Sequence, residues 1–89
     1  MCGGELMTYY YQVIPAMPMG GVIETIQTTT PPTLERLGHD EAAQIYAARW
    51  PETTVTLRYK APTGREMGLN YYTIMRRGYE PLTIIVSVL

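Results

Sequence analysis

Residues 53–76 read TTVTLRYKAPTGREMGLNYYTIMR, and the fold turns on how this stretch is parsed. Thr53, Val55, Leu57 and Tyr59 alternate with Thr54, Thr56, Arg58 and Lys60, the period-two pattern of a half-buried strand. Pro62-Thr63-Gly64 supplies a turn, because proline presets φ for the first corner and glycine accepts a positive φ. With Ala61 opposite Arg65, Tyr59 pairs with Met67, Leu57 with Leu69 and Val55 with Tyr71, and the apolar sets of both strands share one side. Lys60 then meets Glu66, a favourable opposite-charge pair.

Working outward, Arg77-Gly78 marks a two-residue turn into a last strand, Leu82–Leu89. Its even positions, Leu82, Ile84, Val86 and Val88, are the more apolar and are expected in the core. A three-residue turn would bury Thr83, Ile85 and Ser87 instead. At the other end of the chain, Leu6–Ile14 sends Met7, Tyr9, Tyr11 and Val13 one way and Thr8, Tyr10 and Gln12 the other. It is expected to form a hairpin with Val22–Thr29, which Pro31-Pro32 ends because proline cannot donate to a ladder.

Between the hairpins, Thr33–Leu37 reads as a turn of helix and Gly38-His39-Asp40-Glu41 as a helix start, with acidic groups near the positive end of the dipole. Ala43, Tyr46, Ala47 and Trp50 recur at helical spacing, Ala42 and Ile45 widen the stripe, and Pro51 stops it. The reading is one α+β domain over residues 1–89, in the order β-β-α-β-β-β. It has a mostly antiparallel five-stranded sheet with one helix packed on one face. Residues 1–5 are expected to be flexible.

The composition supports sheet. The 89 residues include 12 Thr, 8 Tyr, 7 Ile and 5 Val and no Phe, an excess of β-branched and aromatic types. A net charge of −1 gives no strong sequence-independent grip on nucleic acid, which needs several uncompensated cations. No apolar run is long enough to span a bilayer, and the N-terminus has no cationic segment followed by an apolar one, so no membrane or secretory role is expected. One cysteine suits a reducing cytosol, and a cytoplasmic location is expected.

Catalytic constellations are thin. His39 stands beside Asp40 and Glu41, but consecutive helical residues point about 100° apart and cannot converge on one ion. One Cys and one His fall short of the four ligands of a structural zinc site. Ser87 sits mid-strand with no histidine in pattern. The opening Met1-Cys2-Gly3 is similar to that of N-terminal-nucleophile amidotransferases, over those three residues alone. No enzyme activity, catalytic residue, metal or cofactor is expected.

One helix covers one side of a sheet. On the other side this register sets Tyr72, Ile74, Ile85 and Leu89 as an apolar cluster rimmed by arginines, the composition of a protein interface. The expected partner-binding residues are Arg58, Tyr72, Ile74, Arg76, Arg77 and Ile85. Cover by the chain's own N-terminal hairpin is the alternative.

Residues 40–58, DEAAQIYAARWPETTVTLR, resemble a pattern in small proteins of bacteriophages and mobile elements, where a short alanine-rich helix ends in aromatic-Pro and enters a Val-rich strand. Several anti-CRISPR inhibitors have this size and build. The resemblance implies a non-enzymatic inhibitor that occludes a surface of a CRISPR effector complex, and it carries no functional residue. The low charge departs from the strongly acidic members that imitate DNA. The rival expectations are a single-stranded nucleic-acid binder using Arg58, Lys60, Arg76 and Tyr72, and a structural homodimer or virion subunit.

Overall fold

Residues at i, i+2 and i+4 share a side only in an extended chain. Tyr9, Tyr11 and Val13 accordingly line one side of strand β1 (Tyr9–Pro15), with Tyr11 and Val13 fully buried. The computed structural model describes residues 7–15, 22–33, 35–60 and 69–89, with Tyr59 and Lys60 described in backbone alone. After β1 come β2 (Glu24–Thr28), helix α1 (Leu37–Ala47), β3 (Thr53–Lys60), β4 (Leu69–Arg76) and β5 (Leu82–Val88). The sheet order is β2-β1-β5-β4-β3 and every neighbouring pair is antiparallel, so the fold is α+β. The last strand closes the fold by returning between the two hairpins.

Helix α1 begins where Arg36 turns left-handed (φ 65°), with the Leu37 N–H donating to the Thr33 hydroxyl at 3.2 Å. Its end is set by Pro51, which has no N–H to continue the ladder. Gly38, His39, Ala42, Ala43, Tyr46 and Ala47 form the buried face, and the small alanines let the helix lie close to the strands. Trp50, just past the end, packs edge-on to Tyr46 with ring centroids 5.7 Å apart. Ile45, expected to widen the apolar stripe, is 40% exposed. It lies about 100° from Tyr46, and the sheet is too flat to reach that far round the cylinder.

Under the helix the core is built in cross-strand rows. Val55, Ile74 and Leu82 lie opposite one another, and so do Leu57, Tyr72 and Ile84. This overturns the sequence register. Val55 pairs with Ile74 rather than Tyr71, and Leu57 with Tyr72 rather than Leu69, a slip of three residues. A slip by an odd number exchanges the two sides of a strand. Ile74 (0% exposed) and Tyr72 (2%) therefore belong to the core beneath α1, not to the helix-free face. The pairing also moves between Leu57 and Tyr59, leaving Arg58 as the extra residue of a β-bulge. The corner at Pro62-Thr63-Gly64 and the partners Met67 and Glu66 lie outside the described residues, as do residues 1–5.

The expected two-residue turn at Arg77-Gly78 is also corrected. The β4–β5 register centres on Gly78, which takes φ 81°, and the Tyr79 N–H donates to the Arg76 carbonyl at 3.1 Å. The connection is thus one residue longer. That second odd change offsets the first, so Leu82, Ile84 and Val86 are buried as expected, while Val88 at the strand end is 37% exposed.

Ile74→Ala is expected to cost ~2–5 kcal/mol of stability in urea denaturation through cavity formation, and Leu57→Ala, half-buried at the sheet edge, clearly less. Gly38 is a second test. A Cβ there would stand 1.7 Å from the Tyr11 hydroxyl oxygen and 2.7 Å from the Thr30 carbonyl oxygen. Tyr11 donates to that same carbonyl at 2.7 Å, so neither group yields freely. Gly38→Ala should destabilise by about 1–3 kcal/mol despite its better helix propensity.

Candidate protein-interaction surface

Three polar clasps hold α1 on the sheet and settle what its charged residues do. The Thr28 hydroxyl donates to Glu41 at 2.5 Å, the Tyr72 hydroxyl to Asp40 at 2.6 Å, and the Arg49 guanidinium makes a two-pronged pair with Glu24. Asp40 and Glu41 thus point to different strands, β4 and β2. His39 is wholly buried against the Tyr11 ring, with centroids 5.3 Å apart in an edge-on contact. The three neighbours His39, Asp40 and Glu41 do not converge. Among the described residues no group of three His, Cys, Asp or Glu side chains could hold a metal ion. Nor is any helix among them long and apolar enough to cross a membrane.

The expected partner-binding residues are scattered by the corrected register. Tyr72 and Ile74 are under the helix, and their burial removes both from any docking surface. Arg76 lies between the Trp50 ring (4.8 Å) and the Tyr79 ring (5.1 Å) and donates to the Glu80 carbonyl at 2.7 Å. It braces the C-terminal end of the helix. Arg77 is exposed in the turn and pairs with Glu52 at 2.7 Å. Arg58 is exposed at the bulge, and Ile85 is half-buried on the side of β5 opposite Ile84. Of the six, Ile85 is placed on the helix-free side by its pairing with Ile14 and Tyr71, and the arginines do not form a common rim.

Other residues complete the helix-free face. Ile14, Ile85 and Tyr71 form one cross-strand row through β1, β5 and β4. Beside it runs a row of hydroxyls, Thr83, Thr73 and Thr56, and beyond that Met75 opposite Thr54. On the other flank Gln12, Ser87 and Leu69 line up. Leu69 and Met75 are exposed, and among the described residues no element packs on this face. Ile14, Tyr71, Met75 and Leu69 escaped the sequence reading. Their signal was the odd-position set of β4, as apolar as the even set, together with the β1–β5 pairing that brings Ile14 alongside Ile85.

A separate feature lies on the helix side. The helix leaves β3 incompletely covered, and an open groove of about 160 Å³ runs between them, lined by Asp40, Gln44, Val55, Leu57 and Tyr72. Comparison with known protein families, with curated proteins and with solved structures finds no match for this chain.

The clasps titrate. Hydrogen bonds from Thr28 and Thr30 hold the Glu41 carboxyl below its ordinary 4.5, and the Arg49 guanidinium does the same for Glu24. Burial pushes the Tyr11 hydroxyl up to about 12, and burial with the bond to Asp40 raises Tyr72 further. A depressed carboxyl stabilises the fold fully above 4.5, with loss as pH falls through its folded value; a raised tyrosine does so below 10.0, with loss as pH rises. Stability followed by chemical denaturation should therefore fall on both sides of a broad neutral plateau. Glu24→Gln with Glu41→Gln should flatten the acid limb and soften the alkaline one, because Glu41 helps to raise Tyr11 and Glu24 helps to raise Tyr46.

Proposed function

We propose that this chain is a non-enzymatic binding protein that docks a protein partner on the helix-free face of its sheet. The observation that carries the reading is the Ile14–Ile85–Tyr71 row, with exposed Leu69 on one flank and exposed Met75 beyond the threonine row on the other, on a face over which no described element packs. Apolar and aromatic side chains interleaved with a row of hydroxyls make a patch that gains by desolvation and can still be wetted when free. At roughly 25 cal/mol per Å² of apolar area removed from water, such a row supports a specific contact without any charged anchor.

The sequence resemblance of residues 40–58 to anti-CRISPR inhibitors makes a CRISPR effector complex the first partner to assay, with inhibition by occlusion as the mechanism. Nucleic acid is the less favoured ligand. Of the four residues a stacking sheet would use, Tyr72 is buried and Arg76 is held between Trp50 and Tyr79.

Ile85→Glu tests the reading. Binding to the effector, or to any protein captured by the wild type, should be lost by the variant in a direct titration, while its melting temperature falls less than that of Ile74→Ala. Binding that survives Ile85→Glu and Met75→Glu together, or that weakens steeply with added salt as a phosphate contact does, would remove this face from the mechanism.

A further inference from the structure

Among the described residues, the outer edge of β3 is less protected than the other sheet edge, β2. An edge strand offers a row of unpaired N–H and C=O groups to any chain of matching shape, and proteins normally blunt such edges. The β2 edge is blunted: it is five residues long, its Glu24 is tied to Arg49 and its Thr28 to Glu41, and Pro31-Pro32 follows. The β3 edge is eight residues long, contains no proline, and among the described residues nothing pairs with its outer side. Its regular part is Thr53–Leu57, before the bulge at Arg58. On the helix side of that stretch Val55 and Leu57 stay half-exposed along the groove beside α1. Hydrogen-bonding capacity and uncovered apolar surface therefore coincide on one edge.

We infer that two copies of this chain associate by antiparallel pairing of their β3 edges about a two-fold axis at Val55. The sequence of the edge is complementary to itself in that register. Val55 meets Val55 of the second copy and Thr53 meets Leu57 on the helix side, while Thr54 meets Thr56 on the other, so an apolar contact sits at the axis and hydroxyls fall beside hydroxyls on the opposite side. Just past each end of the paired stretch stand Arg58 of one copy and Glu52 of the other, and the symmetry brings these opposite charges to the same end twice. Glu52 already accepts from Arg77 through one oxygen, and a carboxylate has capacity for a second guanidinium. The axis confines pairing to the five regular residues on each chain, so neither bulge has to be crossed. A two-fold axis normal to the sheet sets both helices on the same side. The grooves meet at the axis, and the two helix-free faces join as one ten-stranded surface. The pairing does not depend on what the helix-free face binds.

Sedimentation velocity on the full chain, over a concentration series reaching the millimolar range, reads the association directly. A species of twice the 10.1 kDa chain mass is expected to grow in with concentration. Thr54 and Thr56 are exposed in the single chain, which makes them probes of register that leave its fold intact. Thr54→Lys with Thr56→Lys sets like charges opposite each other twice and should weaken association about tenfold. Thr54→Lys with Thr56→Glu sets opposite charges there and should leave it unchanged or tighter, with melting temperatures of the dilute monomers equal. A wild-type chain that stays monomeric throughout overturns the inference and leaves the edge to an unrelated peptide. Two charge variants that associate alike overturn it too, since the contact then lies elsewhere.

Discussion

Ile74 lies opposite both Val55 and Leu82, and that pairing decides which half of β4 the helix can reach. Side chains alternate across a strand, so the choice is all or none: with Ile74 inward, Tyr72 and Asn70 follow it, and Tyr71, Thr73 and Met75 must face away. Burying an isoleucine contributes about 1.5–3 kcal/mol, a large share of what a domain this small can muster. The tyrosine beside it is tolerable only because its hydroxyl donates to Asp40 at 2.6 Å on the first turn of α1. One register therefore fixes the core, the seat of the helix and the composition of the opposite face together.

The helix adds a second constraint. Eleven residues cannot blanket five strands, and α1 sits with its N-terminal turn tight against Tyr11 and Thr30 at Gly38. Glu24 and Thr28 on β2 hold one flank, through Arg49 and Glu41. The flank toward β3 has the Asp40–Tyr72 bond and, at the far end, the stack of Trp50, Arg76 and Tyr79. Between those two points the helix and β3 part, which is why Val55 and Leu57 are half-exposed although they face the core. The groove and the uncovered flank of β3 are thus consequences of covering a wide sheet with a short helix.

Several pieces were legible because local chemistry and periodicity agreed. The alternation of Tyr9, Tyr11 and Val13, the Ala43–Tyr46–Ala47 stripe closed by Pro51, and the strongly one-sided β5 all appear where their patterns place them. The strand β4 was different. Leu69, Tyr71, Thr73 and Met75 are about as apolar as Asn70, Tyr72, Ile74 and Arg76, so composition gave no preference between its sides. The decision then fell on the assumed register, and setting Val55 opposite Tyr71 rather than Ile74 put Tyr72 and Ile74 on the wrong face. The arginines misled for a related reason: Arg76 has two aromatic neighbours, Trp50 and Tyr79, that are distant from each other in the pattern of any one element.

What the amino-acid sequence determined by itself was the set of elements and the α+β class, because helix and strand periods, prolines and β-branched residues act within a few residues of one another. What only the tertiary structure decided was the pairing of β5 with β1, the slip of three residues between β3 and β4, and with it the identity of the half-buried row Ile14–Ile85–Tyr71 on the helix-free face. Those depend on contacts between residues far apart in the chain, and on an alternation in which a single-residue difference sends every side chain of a strand to the opposite face.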